Sequence, residues 1–183
     1  FIRQTQQSFL EAHVKAFEYF GGVFKVIRYD NLRAAVKKVL RGRKRHECER
    51  FVTLRSHYLF EATFCLPGIE GAHEKGGVEC GVGRFRRNHL VPVPIVKDLE
   101  ELNARLIECC KKDVARTIKG KHSPIAVYWE EEKLKLRGLP KELFSANEIT
   151  RAHVNNKSLF YSHGNQYSVP VEWVGYDVEL YAQ

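Results

Sequence analysis

The chain has 183 residues, 44% of them hydrophobic, enough for one medium domain or two small ones with a packed core. Its formal charge of +8 favours a polyanionic partner. No apolar run approaches the roughly 18 residues of a membrane span, no signal peptide is visible, and five cysteines without a Cys-x-x-Cys pair argue for a reduced cytoplasmic protein lacking a structural zinc site.

In chain order, residues 5–20 open with cap-competent Thr5 and Ser8, the latter followed by Glu11 as in a capping box. Leu10, Val14 and Phe17 then share a face, and Gly21-Gly22 offers the positive-φ residue that ends a helix. Residues 23–29, rich in β-branched and aromatic side chains, predict a buried strand. Asp30 therefore falls at a strand's C-terminal end, where open α/β sheets place ligand-binding groups, and Asp30-Asn31 is equally suited to cap a following helix.

Between residues 33 and 45 lie seven basic side chains and no acid. Leu32, Val36, Val39 and Leu40 recur at helical spacing while Arg33, Lys37, Arg41 and Lys44 fall on another face, which predicts an amphipathic helix with a basic stripe. The polar remainder of the chain favours nucleic acid over a membrane surface as the acceptor of that stripe. Residues 47–56 read as a helix and 57–64 as a core strand, with Tyr58, Phe60, Ala62 and Phe64 alternating against Leu59, Glu61 and Thr63. The resulting order of strand, helix, helix, strand, helix suits an α/β layer.

A glycine-rich connection, 67–75, leads into a basic run that Pro92-Val93-Pro94 must end, so a helix of about three turns is bracketed with Glu79 in its first turn. A carboxylate there gains from the helix dipole, which is reason enough for its presence without chemistry. Lys75, Arg84 and Arg87 suit phosphate contacts and a solvated surface equally. Residues 98–118 and 124–137 read as two more helices, Gly138 stopping the second. From about Ala146 the pattern shifts to short strands at 149–154, 159–162, 166–169 and 178–181, with His163-Gly164-Asn165 as a hairpin turn.

Several of these segments resemble one family. Lys75-Gly76-Gly77-Val78-Glu79 is similar to the segment that carries the last acid of a DDE triad in IstA-type transposases of bacterial insertion sequences, and residues 19–32, with Asp30, resemble that family's second acid. Residues 84–88 and Gly164-Asn165-Gln166-Tyr167-Ser168-Val169-Pro170 resemble further motifs, in family order.

The resemblance implies a partial RNase H-like integrase core over 1–95, a helical connector over 96–145, and from 146 to 183 a small DNA-gripping β-barrel that stops before it closes. It implies Asp30 and Glu79 as ligands of Mg²⁺ or Mn²⁺. Two such ions about 4 Å apart serve phosphodiester transfer, one at the attacking and one at the leaving oxygen. It further implies transposon-end and target DNA as substrates, a homo-oligomer on DNA, and an IstB-type ATPase helper. The family's helix-turn-helix and first catalytic Asp would precede Phe1, and a chain that begins Phe1-Ile2-Arg3 without any Met reads as a fragment, inactive alone. The rival expectations are a basic DNA-binding module in which Asp30 and Glu79 are caps, and an RNase H-like nuclease that cuts without joining.

Overall fold

The computed structural model describes residues 1–68 and 72–182; side chains are described for those residues except 72–76 and 182. The chain divides into two compact units, Phe1–Phe144 and Ser145–Gln183. Both mix helix or turn with short strands, which among the described residues form two-stranded ladders.

In the first unit, α1 (Gln6–Phe20) starts where Thr5 accepts a hydrogen bond from the Ser8 N–H, so Thr5 and not Ser8 is the cap. Leu10, Val14 and Phe17 are buried along one face. Gly21 ends the helix at φ +69°, as its lack of Cβ permits. Gly22 is required for a different reason. A Cβ there would lie 2.9 Å from the Arg137 carbonyl oxygen, because Val23 and Arg137 exchange backbone hydrogen bonds of 2.8 and 2.9 Å. That bridge ties the segment after the last helix of this unit to the end of α1.

Strand β1 (Val26–Tyr29) follows, and it pairs in parallel with β4 (Glu61–Phe64), Val26 opposite Glu61 and Tyr29 opposite Phe64. Of the segment expected as a buried strand, Val23 and Tyr29 are buried, while Val26 between them is 54% exposed. Between them the predicted basic helix is absent: residues 36–47 form an antiparallel hairpin, β2 (Val36–Val39) with β3 (Arg45–Glu47). Two features override the helical spacing. Gly42, at φ +65°, turns the chain, and the β-branched Val36 and Val39 favour extended backbone. Ala35, Val36 and Cys48 are buried and anchor the base of the hairpin.

Helix α2 (Glu49–Tyr58) packs Phe51, Leu54 and Tyr58 into the core, and Leu59 at φ +57° turns the chain into β4. The strand expected over 57–64 is confined to 61–64, because His57 and Tyr58 belong to α2; Tyr58, Phe60 and Phe64 are buried, Leu59 and Glu61 exposed. The core is aromatic. Phe17, Tyr29, Phe51, Tyr58 and Phe60 meet at ring separations of 4.8–6.4 Å.

The glycine-rich connection falls partly on 69–71, outside the described residues, but its last part is helical. Helix α3 (Ala72–His89) runs 18 residues, absorbing Gly76 and Gly77, and this moves Glu79 out of the first turn. Helix α4 (Leu99–Asp113) is capped by Asp98, whose side chain accepts from the Glu101 N–H. Helix α5 (Ile125–Lys133) ends earlier than the periodicity predicts.

The second unit contains β5 (Glu148–His153) antiparallel to β8 (Asp177–Ala182), and β6 (Leu159–Ser162) antiparallel to β7 (Asn165–Ser168). His163 at φ +50° and Gly164 at φ +79° form the two-residue turn between β6 and β7, the left-handed pair that suits the twist of a hairpin. A short helical turn at Val171–Trp173 precedes β8. Among the described residues the ladders stay open, so the expected barrel is not closed.

Candidate functional site

Because β1 and β4 are parallel, their carboxyl ends lie side by side, and the residues that follow, Asp30-Asn31 and Cys65, share one edge of the layer. Asp30 is exposed there, its Oδ1 accepting the Asn31 N–H at 2.6 Å. It caps no helix, since a turn and the hairpin follow it.

The hairpin reaches across this same edge. Arg45, at the start of β3, donates from Nε to Asn31 Oδ1 at 2.6 Å, from Nη2 to the Cys65 carbonyl at 2.7 Å, and from Nη1 to the carbonyls of Gly42 and Lys44 at 2.8 and 2.7 Å. Its guanidinium also lies 5.7 Å from the centre of the Phe64 ring. Arg43 donates to the Phe64 carbonyl at 2.9 Å. Two arginines thus satisfy the carbonyls at the end of β4 and hold the basic turn beside Asp30. Sequence reasoning placed Arg45 in the basic run without a role; its signal is a guanidinium fork able to serve several acceptors at once.

Arg33, Arg41 and Lys44 are exposed, as is Lys37, which pairs with Glu49 at 2.8 Å. The hydrogen bond to Glu49 raises the Lys37 pKa. A basic surface therefore exists where a stripe was expected, carried on a hairpin.

Behind the edge, Tyr29 is locked from the core side. His13 Nδ1 lies 2.7 Å from the Phe9 carbonyl oxygen and Nε2 lies 2.8 Å from the Tyr29 hydroxyl. A carbonyl only accepts, so Nδ1 carries the proton and Nε2 accepts from the phenol. Burial lowers the His13 pKa, against the raising effect of the Phe9 carbonyl, and burial raises that of Tyr29, so both are held neutral.

Glu79 is exposed, the eighth residue of α3. Dipole stabilisation fades within the first turn, so that explanation of Glu79 loses its footing. Arg84, five residues on, is engaged within the protein: Nη1 and Nη2 meet both oxygens of Asp113 on α4 at 3.0 and 2.5 Å, and Arg116 joins the same carboxylate at 3.0 Å. The Arg84 hydrogen bond holds the Asp113 carboxyl below its ordinary range. Arg87 is exposed, and the Lys75 side chain lies outside the described residues. Among the described residues no three His, Cys, Asp or Glu side chains converge as a metal cluster. Asp30 and Glu79 are each exposed carboxylates, the hard-oxygen donor class that Mg²⁺ prefers.

No family model matches the chain. A transposase from Aminobacter aminovorans is 36% identical over 181 residues, covering 98% of this chain. The transposase for insertion sequences IS1326/IS1353 of Pseudomonas aeruginosa is 32% identical over 98% of it. The transposase for insertion sequence element IS21, also of Pseudomonas aeruginosa, is 32% identical over 97%. The chain is related throughout to insertion-sequence transposases. It spans 35% of the length of the first two relatives and 45% of the third, so the similarity lies along a segment of each. Among the described residues no helix is long and apolar enough to cross a membrane.

Proposed function

We propose that this chain is part of the catalytic region of a DDE-type transposase, an RNase H-like layer in which Asp30 and Glu79 are two of three metal-binding acids. The observation that carries the reading is the position of Asp30. It follows the end of a strand paired in parallel with β4, exposed beside a basic hairpin, in a chain related to transposases over 98% of its length. The third acid comes from sequence outside this chain.

Asp30 and Glu79 would hold Mg²⁺ or Mn²⁺, which when bound supplies charge stabilisation at the attacking and leaving oxygens of phosphodiester transfer. This chain's own contribution is positioning. Arg45 and Asn31 fix the loop that carries Asp30, the His13–Tyr29 pair fixes the strand behind it, and the exposed bases of the hairpin attract the DNA backbone. The second unit has four carboxylates against two basic side chains, Arg151 and Lys157, so the polyanion face belongs to the first unit. In the whole transposase we expect transposon ends and target DNA as substrates, an oligomer on DNA, an ATPase helper of the IstB type, and a cytoplasmic location.

Cleavage and joining of labelled transposon-end DNA by the whole transposase, with and without divalent metal, tests this reading. Metal-dependent joined product supports it. Metal-independent binding without cleavage would favour a DNA-binding module, and cleavage without joining a nuclease.

A further inference from the structure

Outside the acid-bearing edge, the first unit has a cavity of about 700 Å³ where the end of α1 meets α4 and α5. That volume is within the range of small-molecule sites. Its walls combine two chemistries. Tyr19, Ile118, Tyr128 and Trp129 provide aromatic and aliphatic surface, and Lys111 and Lys121 stand at the same cavity. Trp129 is braced at a ring separation of 5.3 Å by Phe20, with the Lys133 ammonium 5.9 Å from its centre. Tyr128 is more exposed, and the Lys121 ammonium lies 5.5 Å from its ring.

The ion pairs Lys111–Glu108 and Lys133–Glu130 are exposed contacts within single helices, which water and salt readily exchange. Lys111, Lys121 and Lys133 line the cavity with one carboxylate, Glu132, and an entering anion would exchange with Glu108 for Lys111. A ligand matching it has a flat π-face and an adjacent anion.

We propose that this cavity receives an unpaired nucleotide of a DNA strand, its base stacked on Tyr128 against the aliphatic wall and its phosphate on Lys111 and Lys121. The proposal rests on the DNA-binding part of the reading above and adds a preference for single-stranded DNA next to duplex. Base–aromatic stacking tolerates any base, so the preference is for strand state and not for sequence. Lys121 is long and exposed, and it moves from ring to phosphate when the base enters.

The test uses the chain carrying Trp173→Phe, which leaves Trp129 as the fluorescent reporter. It is titrated with a blunt duplex and with the same duplex bearing a three-nucleotide overhang, and an identical overhang with abasic sites is the control. The base-bearing overhang should bind about tenfold more tightly than the blunt duplex and quench Trp129, an advantage lost with abasic sites. Tyr128→Ala should remove the advantage while blunt-duplex affinity stays within about twofold, and Tyr128→Phe should keep it.

Equal affinity for all three DNAs would overturn the cavity proposal and leave DNA binding standing. No binding to any of them would overturn both. If Tyr128→Ala instead converts an oligomer to a monomer on sedimentation without changing either DNA affinity, the cavity is a contact between copies of the chain and the nucleotide proposal is wrong.

Discussion

Arg45 and Asn31 are joined across 14 residues by a 2.6 Å hydrogen bond from the Arg45 Nε to the Asn31 side-chain oxygen. The same guanidinium reaches the Cys65 carbonyl, so one side chain fixes the loops after β1 and β4 together. Losing it strands several acceptors at once, and hydrogen bonds from a charged donor contribute about 1.5–3 kcal/mol each before non-additivity. Arg45→Ala should lower stability by about 2–3 kcal/mol in chemical denaturation. Arg45→Lys should recover less than half, because a point charge cannot serve the same fork of acceptors.

The His13–Tyr29 pair predicts a pH response. The folded state disfavours protonated His13, so the unfolded chain binds more protons as pH falls below the ordinary His value of 6.5. The pair's full contribution is therefore present above pH 6.5 and declines as pH drops through 6.5 toward the lowered folded-state value. At the other end, the raised Tyr29 pKa means stability falls as pH rises through 10. Tyr29→Phe should cost about 1–2 kcal/mol by leaving His13 Nε2 without its donor. Thermal unfolding of parent and His13→Ala between pH 5 and 8 should show the acid-side slope shrinking in the variant.

DNA binding should separate the basic residues into two groups. Arg41→Ala and Lys44→Ala should each weaken affinity for any duplex and reduce the slope of log affinity against log salt by about 0.9. Arg84→Ala should leave that slope unchanged and lower stability instead, because Arg84 is committed to Asp113. Fluorescence anisotropy across a salt series, paired with denaturation, checks both halves.

Much of this was legible beforehand, and where it was not the reasons are physical. Helices α1 and α4 follow from apolar spacing and caps, and the His163-Gly164 turn from the left-handed backbone that glycine permits. Residues 32–45 were read as a helix because Leu32, Val36, Val39 and Leu40 fit a helical period. Over so short a run, local turn chemistry at Gly42 and burial of Ala35 and Val36 decide the outcome. The bracketing predicts a helix of about three turns with Glu79 in its first turn, yet α3 begins at Ala72 and runs through Gly76 and Gly77, which shifts Glu79 along the helix. The roles of Arg45 and Asp113 depend on contacts 14 to 29 residues apart in sequence, and no local pattern encodes these. The place of Asp30 after a strand end is legible because a polar residue ending an apolar β-branched run marks a strand terminus.

The most direct measurement is metal-dependent cleavage and joining of transposon-end DNA by the whole transposase containing this chain, comparing the parent with Asp30→Asn and Glu79→Gln. The amides keep shape and remove charge. Each should lower the rate by more than about 100-fold, beyond the 10–100-fold that loss of an outer-shell metal partner costs, while DNA affinity stays near parental. Cleavage and joining by either variant at close to the parental rate would contradict a metal-binding role for that acid.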